Sequence, residues 1–171
     1  YLSRCYNRGK ADKFMKYHRS VLEAKLYLGN DFVCSIASEP IENTEEYINQ
    51  SDEKIKQDCE SKAFVRLAKK IKKSFPRLPI IITADGLYVS QKVIQTCTDN
   101  GWDYIIRYKE GCAPSIAQEY QELPEKEKIG SEIEYQNQIM FQNTDVNLTY
   151  YTEKKIKPDE KKETTEFAWI A

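Results

Sequence analysis

Leu78-Pro79-Ile80-Ile81-Ile82-Thr83-Ala84-Asp85-Gly86-Leu87-Tyr88 is the stretch on which the fold turns. Its isoleucines and threonine are β-branched, which suits a strand. The run has no polar alternation, so it fits a strand buried on both faces in the middle of an α/β sheet. It leads into Asp85, and Gly86 lets the backbone turn sharply there. Ligands in such folds gather at the carboxyl ends of the strands. Asp85 therefore reads as a metal-binding carboxylate, or more plainly as a cap or turn residue. The spacing alone leaves both readings open.

The flanks set this strand in an alternating pattern. Upstream, Phe64, Leu67, Ala68 and Ile71 recur at helical spacing and predict a helix over about 58–74, with Asp58 as N-cap and Pro76 and Pro79 beyond its end. Its other face carries Lys62, Arg66, Lys69, Lys70, Lys72 and Lys73. That basic stripe is either a solvated face with cations near the helix C-terminus or a surface for phosphates. Further upstream, 21–28 and 31–36 flank the turn pair Gly29-Asn30 and predict an antiparallel hairpin. The polar stretch 39–57 reads as a loop with a short helix. Downstream, Ser90 to Asp99 reads as a helix stopped by Asn100-Gly101, Trp102 to Tyr108 as a strand, and Ala113 to Tyr120 as a helix. The order of two strands, helix, strand, helix, strand, helix predicts an α/β layer fold.

From about Lys126 the character changes to antiparallel strands. Ile133-Glu134-Tyr135 and Ile139-Met140-Phe141 flank polar turn residues, Val146 to Tyr151 alternates, and Lys154 to Glu163 is a charged loop before Phe167 to Ile170. With 171 residues, 40% hydrophobic and 31% charged, the chain is a folded domain with a highly charged surface. A formal net charge of −1 gives no bulk argument for a nucleic-acid partner, so any such argument rests on where the charges lie. No apolar run reaches the length of about 20 residues that a membrane-spanning helix needs. The chain begins at Tyr1 without Met and ends inside an apolar run, which leads us to expect a piece of a longer protein.

Other chemistries find little support. The five cysteines are widely spaced with no C-x-x-C pair, which argues against a zinc site or a disulfide framework and for reduced thiols in a cytosolic protein. His18 is the one histidine, and nothing around it resembles a nucleophile elbow. Six glycines form no phosphate-binding loop. A two-metal phosphoryl-transfer site needs several carboxylates, with two ions about 4 Å apart. Besides Asp85 the acidic candidates are Glu23, Glu39, Asp58, Glu60 and Glu110, each with a surface or capping role as its plainer reading.

The run Tyr17 to Leu26, then Lys56-Gln57-Asp58-Cys59-Glu60 with Ala63 and Arg66-Leu67-Ala68, and Phe75 to Pro79, resemble bacterial insertion-sequence transposases of the DDE superfamily. Thr83 to Tyr88 and Asp103 to Gly111 continue the match in order, and Phe167-Ala168-Trp169-Ile170 looks like the strand before the last catalytic helix. The resemblance implies a ribonuclease H-like fold, a mixed sheet flanked by helices on both faces, with a C-terminal β-rich insertion. It divides the chain into the central part of the catalytic domain, 1–125, and a β-strand insertion, 126–171. It implies DNA cleavage and strand transfer with Mg2+ or Mn2+, with Asp85 as the second of three metal-binding carboxylates. The first Asp, in a D-G-T-like context, and the last Glu, in a W-x-I-E-like context, have no match here, so this chain is expected to be inactive by itself. The partners implied are DNA, as transposon ends and target, and a second copy in a synaptic complex, in the bacterial cytoplasm at the nucleoid. Lys92, Arg107 and Lys109 near the Asp85 edge, and Lys69 and Lys73 on the basic helix, are the candidates for DNA phosphate contact. Two rivals stand beside this reading: a non-catalytic ribonuclease H-like DNA- or protein-binding module, and a Rossmann- or flavodoxin-like domain with a parallel sheet.

Overall fold

The computed structural model describes residues 3–5, 16–18, 20–41, 52–156 and 162–171, with side chains over 20–41, 60–153 and 165–171. The chain falls into two compact units, Tyr1–Leu78 and Pro79–Ala171.

In the first unit, β1 (Ser3–Cys5) pairs antiparallel with β2 (Lys16–His18). The hairpin of β3 (Val21–Tyr27) and β4 (Val33–Pro40) follows, then α1 (Asp52–Ser74). Between the two hairpin strands Gly29, Asn30 and Asp31 all take positive φ, and Phe32 N–H donates to the Gly29 carbonyl at 3.0 Å. Gly, Asn and Asp tolerate that left-handed backbone best, so the turn lies at the expected pair.

Helix α1 begins well before the expected start, and Asp58 lies inside it rather than at its cap. The residues from Asp52 are mostly Lys, Glu and Gln, which propagate a helix without an apolar face. The later turns bury Ala63, Phe64, Leu67, Ala68 and Ile71. Glu39 on β4 is only 6% exposed. Arg66 Nε donates to its Oε1 at 2.6 Å, and Arg66 Nη2 donates to the Pro40 carbonyl at 2.9 Å. Lys70 Nζ lies 2.5 Å from Oε2, a contact of ionic rather than well-aligned hydrogen-bonding geometry, and donates to Ser38 O at 3.2 Å. Two cations of the basic stripe are thus spent on tying α1 to β4.

In the second unit one six-stranded sheet runs in the order β5 (Ile81–Ala84), β6 (Asp103–Tyr108), β10 (Lys162–Ile170), β9 (Thr144–Ile156), β8 (Ile133–Phe141), β7 (Glu127–Ile129). Only β5 and β6 pair in parallel; the other four pairings are antiparallel. This mixed sheet excludes the doubly wound parallel alternative. Helices α2 (Gln91–Asn100) and α3 (Pro114–Glu122) cover one face of it. Cys97 of α2 lies beside Tyr104, and the Tyr120 ring of α3 sits 5.0 Å from Tyr150. The register puts Tyr108, Ala168 and Tyr150 on the same face as Tyr104. Val93, Ile94, Ile106, Ile116, Ile139, Val146, Leu148 and Ile170 form the core between helices and sheet. The fold is α/β, a mixed six-stranded sheet flanked by helices, consistent with a ribonuclease H-like architecture.

Several expectations are corrected. The strands of the 21–28 and 31–36 hairpin, expected in the same mixed sheet as 79–84 and 103–108, pair as a separate two-stranded sheet. Strand β5 is an edge strand among the described residues, not a central one, and it alternates in exposure, with Ile81 59% exposed. The polar residues 136–138 are no turn: β8 runs through them with a bulge between Gln136 and Ile139, where Gln138 has φ 61°. The turn lies at Gln142-Asn143, both at positive φ, joining Phe141 to its partner Thr144 as a two-residue hairpin. Finally, β9 extends through Ile156 and β10 starts at Lys162, so pairing reaches into the charged stretch read as a loop, of which 157–161 lie outside the described residues.

The Glu39 cluster sets a stability test. Lys70 and Arg66 hold the Glu39 carboxyl below its ordinary value of 4.5. A depressed carboxyl contributes stability that is present above its unfolded pKa and lost as pH falls through the folded one. Glu39→Gln is expected to destabilise the chain by about 2 kcal/mol at pH 7. In urea melts across pH, the variant should close the gap to the parent progressively below about pH 4.5.

Candidate functional site

Asp85 follows β5 directly and opens a 3-10 turn, Gly86–Tyr88. Its backbone is extended, its side chain is exposed, and Leu87 N–H donates to Oδ1 at 3.0 Å. Tyr88 N–H donates to the Asp85 carbonyl at 3.1 Å. The carboxylate thus caps its own turn, the plainer of the two roles the sequence allows, while remaining open to solvent.

The turn lies against the end of β6. A Cβ built on Gly86 would sit 3.2 Å from the Arg107 carbonyl oxygen, 3.3 Å from Cys112 Sγ and 3.7 Å from Lys109 Cγ. Arg107 and Lys109 also line a cleft of about 220 Å3, together with Glu110, Tyr150, Glu166 and Phe167. The Arg107 guanidinium lies 5.6 Å from the centre of the Phe167 ring, a cation–π contact that orients it. Phe167 in turn stacks on Trp169 at 6.0 Å. Burial, and then the carboxylates of Glu110 and Glu166, push the Tyr150 hydroxyl above its ordinary range, so it stays a neutral donor.

Of the basic candidates, the fold brings the Lys109 side chain beside the Asp85 turn, whereas Arg107 meets that turn through its backbone carbonyl and sends its guanidinium over Phe167; both side chains are exposed. Lys92 is exposed in the first turn of α2, seven residues on from Asp85 in sequence. Lys69 and Lys73 are exposed on α1, in the other unit. The other acidic candidates scatter. Glu23 is exposed on β3 with Lys25 at 3.4 Å, Glu39 is held by Arg66 and Lys70, and Glu60 is buried on α1. The side chains of His18 and Asp58 lie outside the described residues. Among the described residues no three His, Cys, Asp or Glu side chains group as a metal site. One carboxylate cannot hold two divalent ions, so the donors described here do not by themselves fit a two-metal centre. No motif marks Tyr150, Glu166 and Phe167 as neighbours of Glu110; only the β6–β10–β9 pairing brings them together.

A mixed sheet with an Asp at the end of its parallel pair is an α/β domain consistent with a ribonuclease H-like fold. The family model of the transposase DDE domain matches residues 56–166, more than half of the chain, and the chain belongs to that family. Searches of curated proteins and of solved structures gave no match. Among the described residues no helix is long and apolar enough to cross a membrane.

The thiols offer a check on this packing. Cys97 is fully buried, and burial pushes its thiol up to about 11, whereas Cys34 and Cys112 are partly exposed. Because the thiolate is the reacting form, iodoacetamide at pH 8 should label Cys34 and Cys112 in the folded chain and reach Cys97 only after unfolding. Peptide mass mapping reads the result.

Proposed function

We propose that this chain is the central part of a transposase catalytic domain and that Asp85 is one of the carboxylates serving DNA cleavage and strand transfer. Residues 1–125 carry the ribonuclease H-like part and 126–171 a β insertion. The observation that carries the reading is the placement of Asp85 within the family match, exposed at the carboxyl end of the parallel β5–β6 pair. The reaction class is in-line attack on a phosphodiester, by water and then by a DNA 3′ hydroxyl. Lys109 lies beside the Asp85 turn where it can hold a phosphate, and Arg107, pre-oriented by Phe167, offers a second cation from the end of β6. Lys92 in the same unit, and separately Lys69 and Lys73 on α1 of the other unit, are further candidates for phosphate contact. The partners are transposon ends, target DNA and a second copy in the synaptic complex, at the bacterial nucleoid. The family implies Mg2+ or Mn2+, and holding two ions requires carboxylates beyond Asp85. The D-G-T-like and W-x-I-E-like contexts that carry the other two carboxylates in this family have no match in the sequence.

A second reading, a non-catalytic DNA- or protein-binding module, is favoured by the capping bond from Leu87 to Asp85, which gives the carboxylate a structural task. Asp85→Asn separates the two, because an amide oxygen can still cap the turn. In the transposase acting on its own element, the substitution should abolish excision and strand transfer while changing stability by no more than about 0.5 kcal/mol. Undiminished excision would favour the binding module.

DNA affinity tests the basic residues. Each lysine or arginine that neutralises a phosphate contributes about −0.9 to the slope of log affinity against log salt. Replacing Arg107 and Lys109 together by glutamine should flatten the slope measured by fluorescence anisotropy by about 2. Replacing exposed lysines that touch no phosphate would leave it unchanged.

A further inference from the structure

We propose that Gly86 is a positioning residue for Asp85, its missing side chain allowing the Asp85 turn to seat against the end of β6; this rests on the reading of Asp85 as a functional carboxylate. Gly86 is buried, and its φ lies outside the left-handed region, so the backbone conformation does not demand glycine. Space does. A Cβ there would meet the Arg107 carbonyl oxygen at 3.2 Å and Cys112 Sγ at 3.3 Å, both closer than ordinary van der Waals contact.

What yields is decided by how each neighbour is held. Arg107 lies on β6, which pairs with β5 through Ala84↔Ile106 on one side and with β10 through Trp169↔Arg107 and Ala168↔Tyr108 on the other. Its carbonyl cannot retreat without disturbing two ladders. Cys112 belongs to a 3-10 turn closed by its own N–H to the Lys109 carbonyl at 2.8 Å, and the Tyr108 hydroxyl donates to Ala113 O at 3.0 Å just beyond. The element free to move is the short Gly86–Tyr88 turn. That turn carries Asp85 as its N-cap and the Leu87 N–H that holds Oδ1. A shift of that turn alters the Leu87 N–H to Oδ1 bond that aims the carboxylate.

The test uses the 171-residue chain and the backbone amide resonance of Leu87 in 15N–1H spectra. Asp85→Ala marks where that resonance falls when the carboxylate bond is absent. Gly86→Ala is expected to move it to that position, with the core resonances of Ile106 and Ile170 unchanged. Adding Cys112→Ala removes one of the two contacts and should bring the resonance part of the way back. If Gly86→Ala does not fold alone, the same reading is taken in the Cys112→Ala background. A Leu87 resonance that stays in place in Gly86→Ala overturns the proposal. So does a lowered melting temperature with Leu87 unmoved, or loss of folding in both backgrounds, since the glycine would then serve the unit as a whole. The resonance reports the aim of the carboxylate whether or not it takes part in catalysis, so this result stands apart from the outcome of Asp85→Asn in transposition.

Discussion

Strand β6 runs parallel to β5 on one side and antiparallel to β10 on the other. That double pairing joins a parallel strand pair connected through a helix to an antiparallel meander, and it makes the sheet mixed. Ile106 at the middle of β6 and Ile170 opposite it on β10 are both fully buried, so the seam is also the centre of the core. Their burial supplies the favourable term that orders both halves, and a strand held on two sides has little freedom to shift register.

The same seam shapes the surroundings of Asp85. Because Ala84, the last residue of β5, pairs with Ile106 near the end of β6, the Asp85-Gly86 turn comes to rest on the Arg107 carbonyl and beside Lys109. The antiparallel partner β10 brings Glu166 and Phe167 to the same end, and β9 adds Tyr150. One end of the sheet therefore collects a carboxylate on a tight turn, two exposed cations and an aromatic surface that fixes one of them.

Local chemistry was legible in the sequence, and non-local pairing was not. Ser90 caps α2 and Gly101, at φ 66°, ends it, because caps and left-handed stops are decided by the residues themselves. Asp85 was found for the same reason, as a polar residue at the end of an apolar run. The triple isoleucine misled, since β-branched residues suit an edge strand as well as a central one, and the number of neighbours depends on segments far away in the chain. Asp58 misled because apolar periodicity starts there, whereas the helix itself starts at Asp52 on propensity alone. Residues 136–138 are polar like a turn, yet cross-strand pairing on both sides carries β8 through them. The cleft was invisible because Glu110, Tyr150 and Glu166 share no motif, only a register.

The central claim is that Asp85 holds metal in a working transposase. Iron-mediated scission tests it most directly. In the complete transposase–DNA complex, Fe2+ replaces the native divalent ion and reduces hydrogen peroxide to hydroxide and hydroxyl radical, ascorbate returns the Fe3+ to Fe2+, and the radical cuts the backbone close to the ion. The account predicts scission at 84–88, competed away by Mg2+ and lost in Asp85→Ala. A complex that excises its element under Mn2+ yet shows no scission near residue 85 would contradict it.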